Sequence, residues 1–215
     1  MYKKMSFQKD FFNTLKNRIE RRKARVAVVG LGYVGLPLAL EFVHKGFYVF
    51  GIDVDIDRIR HIRRRESYIT DVPPAQLRKA LATGRFSASD DFKVLKAAEV
   101  IIICVPTPLK TKYTPNITYI KEAVCSIANH IKGPSLIILE STTYPGTTEE
   151  VILPLLEAHR LKHGKDFYLC FSPERIDPGN KAFPVYKIPK IVGGVNPEAT
   201  ALGVAVYQNL SLIHI

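Results

Sequence analysis

The chain is poor in the patterns that announce a disulfide staple, a membrane anchor or a serine nucleophile. Only three cysteines occur in 215 residues. Cys104, Cys125 and Cys170 are odd in number, lack C-x-x-C spacing and lie inside apolar stretches. That pattern excludes a disulfide scaffold and reads as reduced, buried thiols without special reactivity. No ligand spacing suits zinc or haem, and no Gly-x-Ser-x-Gly elbow is present. No apolar run approaches the roughly 20 residues that span a bilayer, and the first residues hold no uninterrupted signal-peptide core. A cytoplasmic location is the expectation, and there the sequons at Asn116 and Asn209 go unused.

Charge is abundant but concentrated. The formal net charge is +11, and residues 1–25 hold nine Lys or Arg against Asp10 and Glu20, so nine minus two, or +7, sits in the leader. The remainder is mildly basic, which suits an anionic small ligand. No basic patch is interleaved with aromatics, so nucleic acid is not an expected partner. Within the leader, Phe7, Phe11, Leu15 and Ile19 recur at intervals of four, with Ser6 placed to cap. This spacing predicts a basic amphipathic helix within 1–24. It reads either as a membrane-surface helix or as one docked on its own domain or a partner, and the packing reading is favoured.

From Arg25 onward short apolar runs alternate with amphipathic stretches: Val26 to Val29, Tyr48 to Ile52, Val100 to Val105, Leu136 to Leu139, Phe167 to Phe171 and Ile191 to Val192. Runs buried on both faces and separated by helices predict an α/β fold, a doubly wound parallel sheet of Rossmann type, over 25–209. Pro73-Pro74 and the turn at Thr83-Gly84-Arg85 predict a helical elaboration in the middle. Gly193-Gly194 closes the last strand, Asn196 can cap, and Pro197 suits the first turn of a helix running to about Asn209.

The first strand runs into Gly30-Leu-Gly-Tyr33-Val34-Gly35, and a helix follows. In that context Gly30 permits the tight turn, Gly32 lets backbone approach a pyrophosphate, and Gly35 lets the helix pack closely on the strand. The phosphates would sit at the positive end of the helix. Asp53 ends the second strand, 18 positions beyond Gly35, where a carboxylate can accept from both ribose hydroxyls and so select NAD. Arg58, five residues later, is the counter-argument for NADP. Val105-Pro-Thr107-Pro108 leaves the sheet at a carboxyl edge, as does the hydroxyl cluster around Ser141 and Thr142. The bland alternative for that cluster is a loop in which Thr147 or Thr148 caps a helix from Glu149 to Leu156.

Three segments together, Gly30 to Gly35, Glu140-Ser-Thr-Thr-Tyr-Pro-Gly-Thr147 and Phe171-Ser-Pro-Glu-Arg-Ile-Asp-Pro-Gly-Asn180, resemble the UDP-glucose/GDP-mannose (nucleotide-sugar) 6-dehydrogenase family. The resemblance covers about 25–209 and implies NAD as cofactor and a UDP-sugar as substrate. The C6 alcohol would be oxidised to a carboxylate for surface polysaccharide synthesis, by way of an aldehyde captured on a cysteine. It places Arg58 beside the adenosine end of NAD, Val105 and Thr107 along the cofactor, and Ser141 near it. Thr142 becomes the threonine that positions the catalytic water, and Glu174 the acid/base or substrate-positioning carboxylate. Arg175 departs from the UDP-glucose branch and resembles the UDP-N-acetylhexosamine branch. UDP-N-acetylglucosamine is therefore the first expectation, with UDP-N-acetylmannosamine and UDP-glucose open. The family's cysteine, and the lysine and asparagine that hold its oxyanion, are expected beyond residue 209 in a second half, and the full-length enzyme is expected to be a homo-oligomer. The terminal Leu210 to Ile215 resembles translated sequencing adaptor, so a non-native tail and a fragment inactive alone are expected. Rival readings are another β-hydroxyacid-type dehydrogenase and a non-catalytic NAD-binding module.

Overall fold

The computed structural model describes residues 2–110, 114–173 and 190–210, with side chains described from Phe11 onward. The first half runs α1 (Tyr2–Glu20), β1 (Arg25–Val29), α2 (Gly35–His44), β2 (Tyr48–Ile52), α3 (Ile56–Arg63), α4 (Pro74–Ala82) and β3 (Phe86–Ser89). A 3-10 turn (Phe92–Ala97) leads to β4 (Val100–Ile103), α5 (Thr118–His130) and β5 (Ser135–Leu139). A π-helical turn (Thr147–Ile152) precedes α6 (Leu153–Ala158), β6 (Phe167–Phe171), β7 (Gly193–Gly194) and α7 (Pro197–Gln208). The seven strands form one sheet in the order β3-β2-β1-β4-β5-β6-β7, parallel except for β7, which pairs antiparallel with β6. The expected doubly wound sheet is what the chain builds.

Alternation along each strand explains the layering. Val26 and Val28 face one core, with Leu36 and Leu40 of α2 and Leu202 and Val206 of α7. Ala27 and Val29 face the other, with Ile120 and Val124 of α5 and Leu156 of α6. Ile102, Ile138 and Tyr168 join the first core, and Ile101, Ile137 and Phe167 the second. Each such Val, Leu, Ile or Phe side chain contributes about 1.5–3 kcal/mol by leaving water. A strand apolar at every position is therefore stable only between two helical layers.

The leader helix docks on its own domain. Leu15 and Ile19 are fully buried and α1 packs on α7. Phe11 stacks on Tyr168 at 5.9 Å and Phe12 meets the same ring edge-on at 6.2 Å. Arg18 Nη2 donates to Glu99 Oε2 at 2.9 Å, anchoring the helix beside the start of β4. The helix begins at Tyr2, so Ser6 lies in its interior rather than at its cap.

Several local expectations need correction. The strand predicted over Val100 to Val105 ends at Ile103, because Pro106 has no N–H with which to extend the ladder. The predicted strand at Ile191 and Val192 falls at Gly193–Gly194 instead. Val192 is turned onto α7, where a Cβ on Gly203 would lie 2.7 Å from it. β3, a short and half-polar strand paired with β2, carried no apolar run to reveal it. The helix expected from Glu149 to Leu156 divides into the π-helical turn and α6, and neither Thr147 nor Thr148 caps it by side chain. Pro154 lacks the N–H that a continuous α-helix would need there, and the bonding register shifts ahead of it. Cys104 and Cys170 are buried as expected, whereas Cys125 is only half-buried.

Candidate functional site

The residues immediately past β1, β2, β4 and β5 are Gly30, Asp53, Cys104 and Glu140. Backbone bonds hold them at one level: Gly30 donates to Ile52 at 2.7 Å, Cys104 to Val29 at 2.7 Å and Glu140 to Ile103 at 2.9 Å. A pocket of about 530 Å³ opens along this edge. It lies where the neighbours of β1 diverge to β2 on one side and β4 on the other, the crevice in which open α/β sheets bind ligands.

Two glycines of the first turn are required by backbone crowding. Gly30 has φ +93°, and a Cβ on it would lie 2.6 Å from the Cys104 carbonyl oxygen. A Cβ on Gly35 would lie 1.7 Å from the Gly30 oxygen. Gly32 differs, since its Cβ would meet only the tip of Arg58, at 3.8 Å. Nothing among the described residues demands glycine there, and the free space in front of it suits a pyrophosphate at the start of α2. Gly32, Tyr33 and Val34 line the pocket, and Tyr33 is exposed.

The β2 end of the pocket is an organised ion pair. Asp53 is buried; its Oδ2 accepts from Leu31 N at 2.7 Å and Arg58 Nη1 at 3.0 Å, and its Oδ1 accepts from Asp55 N at 2.9 Å. Burial works against the Arg58 charge. The bond to Asp53 and the charges of Asp53 and Asp55 outweigh it and raise the guanidinium's proton affinity. Tyr68 closes the turn from the other side, its hydroxyl donating to Leu31 O at 2.8 Å. Burial, then the charge of Asp53, pushes that phenol well above its ordinary value, so it stays a donor.

The loops after β4 and β5 form the opposite end. Val105, Thr107, Ser141 and Thr142 all line the pocket. Ser141 Oγ donates to Val105 O at 2.7 Å, tying the two loops together. The exposed Thr142 hydroxyl has no hydrogen-bond partner among the described residues, in contrast to Thr143 and Thr147, which bond each other at 2.8 Å. Glu140, fully buried, is held by Lys190 Nζ and by the Tyr207 hydroxyl, which donates to its Oε2 at 2.7 Å. Burial, then Glu140, pushes the Tyr207 phenol far above its ordinary value.

The structure thus gathers Gly30, Gly32, Tyr33, Val34, Asp53, Arg58, Val105, Thr107, Ser141 and Thr142 around one pocket, with Gly35 packed behind its turn. Glu174 and Arg175 lie outside the described residues, as does the expected tail beyond Leu210. Sequence reasoning missed the wall supplied by Tyr119, Glu122, Ala123 and Ser126 of α5. Their i, i+3, i+4, i+7 spacing, flanking the buried face of Ile120, Val124 and Ile127, was the signal available. It also missed Tyr68, Lys190 and Tyr207, whose contacts join segments distant in the chain. Among the described residues no group of His, Cys, Asp or Glu could hold a metal ion, and no helix is long and apolar enough to cross a membrane.

Comparison with known proteins places this geometry. The UDP-glucose/GDP-mannose dehydrogenase family, NAD binding domain, matches residues 24–211. UDP-N-acetyl-D-glucosamine 6-dehydrogenase of Pseudomonas aeruginosa is 39% identical over 187 residues, covering 86% of this chain and 43% of that protein. The solved UDP-D-ManNAc dehydrogenase of Pyrococcus horikoshii superposes with a TM-score of 0.83 at 34% identity, over 89% of this chain and 46% of the other. A ternary complex of GDP-mannose dehydrogenase from Pseudomonas aeruginosa gives 0.81 at 30% identity, over 86% of this chain and 44% of that one. The chain spans less than half the length of these relatives. With its glycine turn, strand-end aspartate and hydroxyl loop set around one pocket, the chain belongs to the UDP-glucose/GDP-mannose dehydrogenase family and carries that family's NAD-binding domain.

Proposed function

We propose that this chain is the cofactor half of a UDP-sugar 6-dehydrogenase, acting on a UDP-N-acetylhexosamine with UDP-N-acetylglucosamine as first choice and supplying a uronate for surface polysaccharide. The observation that carries the reading is the single pocket shared by the glycine turn, Asp53 and Thr142. Strand order gives it direction. Adenosine lies toward the β2 end, against Asp53 and Arg58, and the pyrophosphate crosses in front of Gly32 at the start of α2. The nicotinamide end falls at β4 and β5, against Val105, Thr107 and Ser141. NAD, when bound, supplies the hydride acceptor.

Thr142 sits at that end with its hydroxyl uncommitted among the described residues, which supports its holding a water or a sugar hydroxyl beside the reacting carbon. Glu174 and Arg175, three and four residues past the end of β6, are assigned to the sugar on their motif alone. The Arg175 signature and the N-acetylhexosamine relatives support that sugar class over UDP-glucose. A non-catalytic module with a membrane-seeking leader is disfavoured, because Leu15 and Ile19 are already covered by α7.

Titration with NAD and NADP tests the reading. The wild-type chain is expected to bind NAD in preference to NADP. Asp53→Ala should weaken NAD by about tenfold and narrow the preference, since both a ribose acceptor and the anchor of Arg58 are lost. Identical titrations for the two proteins would overturn the site.

A further inference from the structure

Glu140 and Lys190 form a buried ion pair, 0% and 4% exposed, beneath the loop that carries Ser141 and Thr142. Their separation of 50 residues, and that of 67 between Glu140 and Tyr207, join three remote segments: the end of β5, the approach to β7 and the last turn of α7. Lys190 Nζ also lies 5.4 Å from the centre of the Tyr207 ring. Fold stability alone does not account for such a network, because a buried ion pair can often be replaced by apolar groups of similar volume without loss. Its location is more informative. Glu140 lines the pocket next to Ser141, and its two carboxylate oxygens are gripped from different elements. The side chain cannot turn without breaking a charged contact, so the direction in which the chain leaves β5 is set. Ser141 then reaches Val105 O and Thr142 faces the pocket. The opposite end of the pocket is organised by Asp53, Arg58 and Tyr68, and among the described hydrogen bonds no residue is common to the two networks.

We propose that Glu140, Lys190 and Tyr207 act as positioning residues for the nicotinamide end of the site, holding the Ser141–Thr142 loop in register with the loop after β4. The proposal rests on the reading of the pocket as an NAD site. It requires that damage to the network be felt by the nicotinamide half of the ligand and not by the ADP-ribose half.

The test uses the whole 215-residue chain and two probes, NAD and ADP-ribose, titrated against wild type, Tyr207→Phe, Lys190→Met and Glu140→Gln. Tyr207→Phe keeps the buried ring and removes only the hydroxyl, so it decides the matter even where Lys190→Met fails to fold. NAD affinity is expected to fall about tenfold in Tyr207→Phe, the scale of a lost hydrogen bond to a charged group, with ADP-ribose affinity unchanged. Equal weakening of both probes would show a merely structural network, and no weakening of either would show an idle one; each overturns the proposal. Failure of the wild-type chain to bind either probe would instead overturn the NAD reading itself, and this inference with it.

Discussion

At the scale of single residues, the glycine turn separates two demands that a motif lists together. Gly35 is fixed by the fold, because any side chain would enter the Gly30 carbonyl at 1.7 Å and neither atom belongs to a flexible group. Gly35→Ala should therefore cost more than about 3 kcal/mol, read from urea unfolding, as expected for overpacking against backbone. Among the described residues, Gly32 is constrained by no neighbouring atom apart from the tip of Arg58. Gly32→Ala should unfold within about 1 kcal/mol of wild type yet lose NAD binding, because the methyl occupies ligand space. Equal destabilisation by both would refute this division. The turn and the acidic strand end were legible because backbone geometry restricts them to glycine and carboxylate at fixed offsets. The Asp53 partners were not, since Leu31 N and Arg58 are specified by three-dimensional placement rather than by any local pattern.

At the scale of elements, the leader helix shows how a periodic stripe reports burial without reporting the partner. Its spacing of four was sufficient to predict a helix with one apolar face. That the face meets α7 and Tyr168 depends on a sheet order no local window contains. Leu15→Ala and Ile19→Ala should each cost about 2–5 kcal/mol, the range for truncating a fully buried aliphatic side chain. Arg18→Ala should cost about 1 kcal/mol or less, because the pair with Glu99 is 38% and 25% exposed and screened by solvent. Chemical denaturation measures all three, and wild-type stability in Leu15→Ala would show that the helix is not part of the cooperative core. The central strands were readable as uninterrupted apolar runs. β3 was not, and β7 was read two residues early at Ile191 and Val192, because these edge strands are short, partly exposed segments specified by their neighbours. The π-helical turn was hidden for a different reason: Pro154 was visible, but its effect on hydrogen-bond register depends on where the preceding loop delivers the chain.

At the scale of the whole molecule, the question is what a complete cofactor pocket can do with the thiols this chain possesses. Oxidation of an alcohol to a carboxylate in two steps is helped by covalent capture of the aldehyde, which needs an accessible thiolate beside the reacting carbon. Cys170 is fully buried, and burial, then the charge of Glu140, pushes its thiol far above the ordinary value. Cys104 is buried beneath the glycine turn, in contact range of a Cβ on Gly35 at 3.2 Å. Cys125 lies on α5 and does not line the pocket. Cys104 lines the pocket wall but is only 8% exposed, Cys125 lies off the pocket and Cys170 is fully buried, so no thiol stands exposed in the site for an acid-forming step. The 215-residue chain should therefore bind NAD yet form no uronate from UDP-N-acetylglucosamine over hours, read by chromatography of the sugar nucleotide. Appearance of the uronate would show that one of these three thiols, or a route without a thiol, completes the reaction. Cys104→Ser, Cys125→Ser and Cys170→Ser would then separate the two, since a thiol-dependent reaction stops in one variant and an independent one continues in all.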